Sequence, residues 1–309
     1  MTVIPALPPT LADFGRRGFR LGDAGVRERL EGHAAAFLDG YDLVRRHGAA
    51  TAREHLGEVA AGERGFAYEG AGLAAALADL LRPAGRRRRH VDALLAGPGG
   101  DYVHLVAVGA GWVGGFLPYA SATRRVADPL YRWLGLDGAG FARGFLRGRR
   151  WIIRLARRVN HRVPAHRVIC QGAGRSLWFV ECGDVEAISW QVDRFPYGIR
   201  RELWAGVGLA ACYAGGVTDA GFALLAAVDG PCRDALAQGI AFAAAARCRS
   251  GHVPDGTRRT VAALAGVSLE AAAAWTATAE APARAHGAGL DAYLGWQAEI
   301  RDSAAGPAH

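Results

Sequence analysis

The chemistry this chain can do is concentrated around one arginine. Arg175 lies in the run Gln171-Gly172-Ala173-Gly174-Arg175-Ser176-Leu177-Trp178-Phe179. Four further Gly-x-Gly pairs begin at Gly70, Gly109, Gly138 and Gly206. Three residues after the first glycine of those pairs stand Leu73, Trp112, Phe141 and Leu209. A guanidinium in an otherwise apolar register must find a carboxylate, an anionic ligand or several carbonyls. Glu69 and Asp137 are the natural partners, with Glu181 a third candidate. Glu69, Asp137 and Gln171 each directly precede the first glycine of a pair. They are therefore expected at matching helix starts, where they either cap helices or line a pocket together. In the second case Arg175, Glu69 and Asp137 are the expected catalytic groups, handling protons, a carboxylate or a halide. Gln171 and His104 are then expected on the wall of a substrate pocket built from Trp112, Phe116, Phe145, Trp178, Phe179 and Tyr213. The same aromatic residues serve equally as plain core.

Other chemistries lack their motifs. There is no His-Glu-x-x-His, no paired Cys-x-x-Cys, no Asp-rich metal motif and no Gly-x-Ser-x-Gly elbow. No metal site is expected and no cofactor is identified. The chain contains no lysine, so its 37 basic residues are all arginine. That excludes Schiff-base chemistry, a P-loop and Ser-Lys catalysis. His104, His161, His166 and His252 are far apart in sequence.

The elements that must position Arg175 follow from the glycine register. First glycines are spaced by 39, 29, 34 and 34 residues, with a degenerate copy at Gly239 and a weaker one at Gly32. Seven residues after each first glycine sits Leu77, Phe116, Phe145, Phe179 or Tyr213. Offsets of three and seven share one helix face. Paired glycines remove side chains where another backbone comes close, or form the turn that opens a helix. A period near 34 residues is one helical hairpin. The fold class expected is all-α, a stack of helical-hairpin repeats forming an α-solenoid or a closed helical bundle. The expected organisation is an N-terminal arm (1–20), a helical-repeat domain (21–302, with possible halves 21–160 and 161–302) and a disordered tail (303–309). Asn160 to His166, interrupted by Pro164, marks the boundary between halves. Ile188 to Val192 reads as polar-apolar and extended. Arg86 to Arg89 with His90 reads as a solvated loop.

With 309 residues and 51% hydrophobic content, the chain has material for a large core. A net charge of +8 suits an acidic partner. Aromatics do not interleave with a defined basic groove, and no nucleic-acid partner is expected. The five cysteines are odd in number and scattered, as core thiols of a cytoplasmic protein would be. Residues 102–122 and 203–228 are apolar enough to consider as membrane spans, but the matching stretches at 137–150 and 171–186 are charged. They are therefore expected as buried helices, with peripheral membrane contact the remaining possibility.

Several segments, GFAYEGAGLAAAL (65–77), VHLVAVGAGW (103–112), DPLYRWLGLDGAGFARGF (128–145), QGAGRSLWF (171–179) and ELWAGVGLAACYAGG (202–216), resemble one family. It is the uncharacterised family encoded beside enediyne polyketide synthases. The resemblance spans about residues 14–275. It implies a role in making the enediyne core from a linear conjugated polyene supplied by the synthase. The implied partners are that polyene and, beside it, the synthase or companion core-biosynthesis proteins. The resemblance brings no catalytic residues with it. The reaction expected is an isomerisation, elimination or other cofactor-independent step, and the competing reading is a non-catalytic scaffold or carrier that docks the synthase.

Overall fold

Apolar residues three and four apart dictate helices along the chain. The computed structural model, which describes residues 4–81 and 89–306, is all-helical, with no strand among the described residues. The path opens with a 3-10 turn at Pro9–Ala12 and α1 (Phe14–Arg17), followed by α2 (Ala24–His47), α3 (Ala49–Glu58) and α4 (Ala61–Leu80). Then come α5 (Arg89–Leu95), α6 (Val103–Gly111) and the broken α7 (Leu134–Ala156). The second part holds α8 (Pro164–Val180), α9 (Val185–Asp193), α10 (Tyr197–Tyr213), α11 (Asp219–Ala226) and α12 (Gly230–Arg249). It ends with α13 (Asp255–Ala265), α14 (Leu269–Ala285) and α15 (Leu290–Ala305). Side-chain caps start several of these: Asp23 for α2, Asp184 for α9, Thr218 for α11 and Ser268 for α14.

The glycine pairs set how the helices pack. They lie inside helices, where backbones cross. In α4, α6, α7, α8 and α10 the first glycine meets an earlier helix and the second meets the next one. A Cβ on Gly172 would stand 1.9 Å from the Asp137 carbonyl oxygen of α7. One on Gly174 would stand 2.0 Å from the Leu203 carbonyl of α10. No side chain fits at such a crossing, so only glycine allows the approach. The crossings join α2, α4, α6, α7, α8, α10 and α12 into one curved row. The row bends back on itself. Arg247 of α12 donates to the Gly62 carbonyl of α4 at 3.1 Å, and His33 of α2 meets the Ala214 carbonyl after α10 at 2.9 Å. The hairpin α14–α15 packs on α12 and reaches inward, where Gln297 donates to Gln171 Oε1 at 2.7 Å.

Several expectations need correction. Glu69, Asp137 and Gln171 sit within α4, α7 and α8 and cap none of them. The buried helix expected within residues 102–122 stops at Gly111 and continues as a 3-10 turn, Trp112–Gly115. That change of winding carries Phe116 outward, and it is 58% exposed. Ile188 to Val192 is helical, inside α9, because Asp184 caps that segment before its β-branched residues can pair with anything. Residues 4–20 pack Phe14 and Phe19 into the core, against α2 and Phe145. Ser303 to Ala305 continue α15. Arg86 to Arg88 lie outside the described residues. Cys170, Cys182 and Cys212 are buried, whereas Cys248 is exposed; all five are free thiols. The loop at 160–163 exists, and α7 and α8 pack backbone to backbone on either side of it. No single helix among the described residues is long and apolar enough to cross a membrane.

Candidate functional site

The curvature of the row brings the residues before the glycines, and those four later, onto its inner face. Arg175 projects there from α8 and is buried. Its Nη1 bonds the Asp137 carboxylate of α7, and its Nη2 lies 3.5 Å from Glu69 Oε2 of α4. The guanidinium also lies 4.7 Å over the Phe141 ring. Trp112 Nε1 donates to Glu69 at 3.1 Å. Gln171 donates to the second Asp137 oxygen at 3.0 Å and accepts from Gln297, whose amide also lies 3.4 Å from the Tyr293 hydroxyl. Three helices of the row and α15 thus supply one connected buried network. Glu181 stays outside it, pairing with Arg149 at 2.7 Å.

Two carboxyl groups share a single cation here. Burial pushes the Glu69 carboxyl above its ordinary value, and the Arg175 charge only partly opposes that. Burial alone would lower Arg175, but Asp137 and Glu69 outweigh it and hold the guanidinium protonated. The network therefore contains a carboxyl held toward its protonated form beside a carboxylate fixed by an ion pair.

Arg175 stands between two cavities. One, of about 40 Å³, is a narrow aromatic neck walled by Phe37, Phe66, Trp112, Phe141, Phe145 and Phe179, with Glu69 and His33 on its surface. The other, of about 240 Å³, runs past Asp137, Gln171 and Trp296 toward exposed Cys248 and Arg249. Arg175, Leu209 and Tyr213 belong to both walls. A third cavity, of about 570 Å³, meets the neck at His33 and Tyr213. Tyr213 thus borders all three. Its buried hydroxyl has no hydrogen-bond partner among the described residues, and burial raises its pKa.

The larger Arg175 cavity has its own polar wall. His104 of α6 lies edge-on to Tyr131, with ring centres 4.6 Å apart. Its Nε2 is sealed from solvent without a hydrogen-bond partner among the described residues, and burial lowers the imidazole to about 4. His104 is accordingly a neutral acceptor or donor at physiological pH. Tyr131 donates to Glu280 of α14 at 2.8 Å, and burial with that carboxylate raises the phenol to about 12.

Of the residues expected from sequence, the structure brings together Arg175, Glu69, Asp137, Gln171, Trp112, Phe145, Phe179, Tyr213 and His104 around these two cavities. Phe116 is turned to solvent, which corrects its expected place in the pocket. Trp178 is fully buried in the wall, donating to the Gly215 carbonyl at 3.0 Å, and borders neither cavity. Sequence reasoning missed Gln297, Tyr293, Tyr131 and Glu280, which no glycine register flags. Among the described residues no group of three or more His, Cys, Asp or Glu side chains is placed to hold a metal ion.

A family model described as "Protein of unknown function (DUF1702)" matches residues 3–304, and the chain belongs to that family. No curated protein and no solved structure matches it.

Proposed function

We propose that this protein holds a linear conjugated polyene in the cavities on either side of Arg175 and shifts its double bonds during enediyne assembly. The observation that carries the reading is the shared wall: Arg175 borders both cavities, with Glu69 on the neck and Asp137 on the larger one. A slender, flat chain threaded past Arg175 meets a carboxyl group on each side of it. The neck is narrow, so its aromatic rings must move aside to admit the chain.

The step needs no oxidant or reductant. Glu69 gives its proton to one carbon of the polyene. The cation that forms spreads along the conjugated chain and is stabilised by the faces of Trp112, Phe141 and Phe145. Asp137 takes a proton from a carbon on the other side, and the double bonds have moved with no net change in composition. Exchange of protons with water resets the two carboxyls, while Arg175 balances the negative charge throughout. The glycine crossings also support reading the row as successive copies of a helical hairpin of about 34 residues, duplicated to enclose the chain.

The test uses trans-parinaric acid, a linear conjugated tetraene whose emission rises in apolar surroundings. A saturable rise in emission with the purified protein, and slow uptake of deuterium into the polyene in heavy water, are expected. Absence of saturable binding sinks the reading. A docking role is the second reading. It draws on exposed Trp190 and Tyr197 (59% and 77%), with Arg194 lying 4.6 Å over the Trp190 ring. Co-purification with the synthase without polyene binding favours it.

A further inference from the structure

The third cavity is chemically unlike the other two. Its wall is more polar than theirs and comes from α2, α4, α10, α11, α12 and α13 with their connections. Arg247 stands in that wall and is only 2% exposed. Its Nη1 and Nη2 donate to the Gly62 and Tyr213 carbonyls at 3.1 and 2.6 Å, and its guanidinium lies 3.9 Å over the Tyr213 ring. The Nε is sealed and has no hydrogen-bond partner among the described residues.

What Arg247 lacks is a counter-charge. Among the described residues no carboxylate pairs with it. The other charged groups of the cavity, Arg29 excepted, have partners of their own. Asp23 caps α2, accepting from Val26 N at 3.0 Å. Glu63 is held by His33 at 2.7 Å, and Arg259 turns to Asp219 at 2.6 Å. Arg29 is exposed at the edge and makes no ion pair among the described residues. Leaving a buried cation unmatched is costly. The buried Arg175 and Arg301, by contrast, do have carboxylates, Arg301 of α15 meeting Glu202 at 3.5 Å.

We propose that this cavity binds the carboxylate end of an amphipathic ligand, with Arg247 as its counter-charge and Arg29 as a second cation at the rim. The inference deepens the polyene reading and rests on it. The apolar chain enters the aromatic neck between His33 and Tyr213, and the carboxylate stays behind in the polar compartment. The site selects a linear acid over an ester or a neutral hydrocarbon of the same length. It also fixes which end of the chain reaches Arg175 first.

The experiment compares trans-parinaric acid with its methyl ester, by fluorescence titration, on the whole wild-type chain and on Arg247→Gln and Arg29→Gln. A charge-assisted contact predicts that the acid binds about tenfold to a hundredfold more tightly than the ester. Arg247→Gln removes that advantage, so that acid and ester bind alike, and Arg29→Gln reduces it. Equal wild-type binding of acid and ester overturns the proposal and leaves the polyene reading standing. Failure of both to bind sinks both. An advantage that survives in folded Arg247→Gln also overturns the proposal. Should circular dichroism show that Arg247→Gln does not fold, the wild-type ratio and its change in Arg29→Gln decide the matter.

Discussion

Arg175 and Arg247 are both buried on the inner side of the helix row, and they solve the problem of buried charge in opposite ways. Arg175 meets Asp137 and Glu69, and its network closes through Gln171, Gln297 and Trp112. Arg247 meets two backbone carbonyls and an aromatic face, and forms no ion pair among the described residues. The first region is an internally balanced cluster that can pass protons between its own members. The second is an unbalanced one that gains by taking in an anion. Between them Tyr213 touches both compartments. The contrast teaches that burial of a cation does not by itself mark a catalytic group; what matters is whether the protein has already supplied the counter-charge.

The strongest way to break this contrast is Arg175→Leu, which restores the apolar residue of the sister positions. It strands two buried carboxyls, so it should cost about 3–5 kcal/mol of unfolding free energy at neutral pH. The loss should shrink in acid, where those carboxyls take up protons. Urea unfolding at pH 7 and pH 5 measures both, and a change below about 1 kcal/mol at both would show that Arg175 is not the hub of a balanced cluster. Any proton-transfer activity is lost with it. Arg247→Gln is expected to be milder, about 2 kcal/mol or less, because losing the carbonyl contacts is offset by removing an unmatched charge. A cost equal to that of Arg175→Leu would erase the distinction between the two regions.

The smallest effect is on the pH slope. Burial raises Glu69 above its ordinary 4.5, so the folded chain keeps a proton that the unfolded chain releases. The stability this confers is complete below about pH 4.5 and is lost as pH rises through the raised value. Glu69→Gln removes that component. Its stability relative to wild type should therefore improve steadily as pH is raised above about 4.5. An unchanged difference between pH 4 and pH 8 would place Glu69 in an environment no different from water.

The cluster was largely legible because its members share a register. Glu69, Asp137 and Gln171 precede glycine pairs, and Arg175 lies four residues after Gln171, so one helical face had to hold them. The pairing of Arg175 with Glu69 and Asp137, and not Glu181, needed the crossings themselves. Gln297 was invisible because α15 carries no glycine pair to tie it to the row. Arg247 was hidden in an alanine-rich helix of a chain with 37 arginines, where one more cation carries no signal. Phe116 was misplaced because an offset of seven holds only while the helix stays α, and α6 ends at Gly111. Ile188 to Val192 has the residue types of a strand, but a capping aspartate and the neighbouring helices decide the conformation.

The contact between Gln297 and Gln171 has a consequence in time. A chain leaves the ribosome from its N-terminus, and domains begin to fold in that order. Asp137, Gln171 and Arg175 emerge while α15 is still unsynthesised. Until Gln297 arrives, the Gln171 carbonyl oxygen has only water to satisfy it, and the inner face of the row stays open. The crossings can assemble first, helix by helix, and the site matures only when α15 docks. Translation thus sets the order of events: the wall is built around an accessible interior, and that interior is closed last.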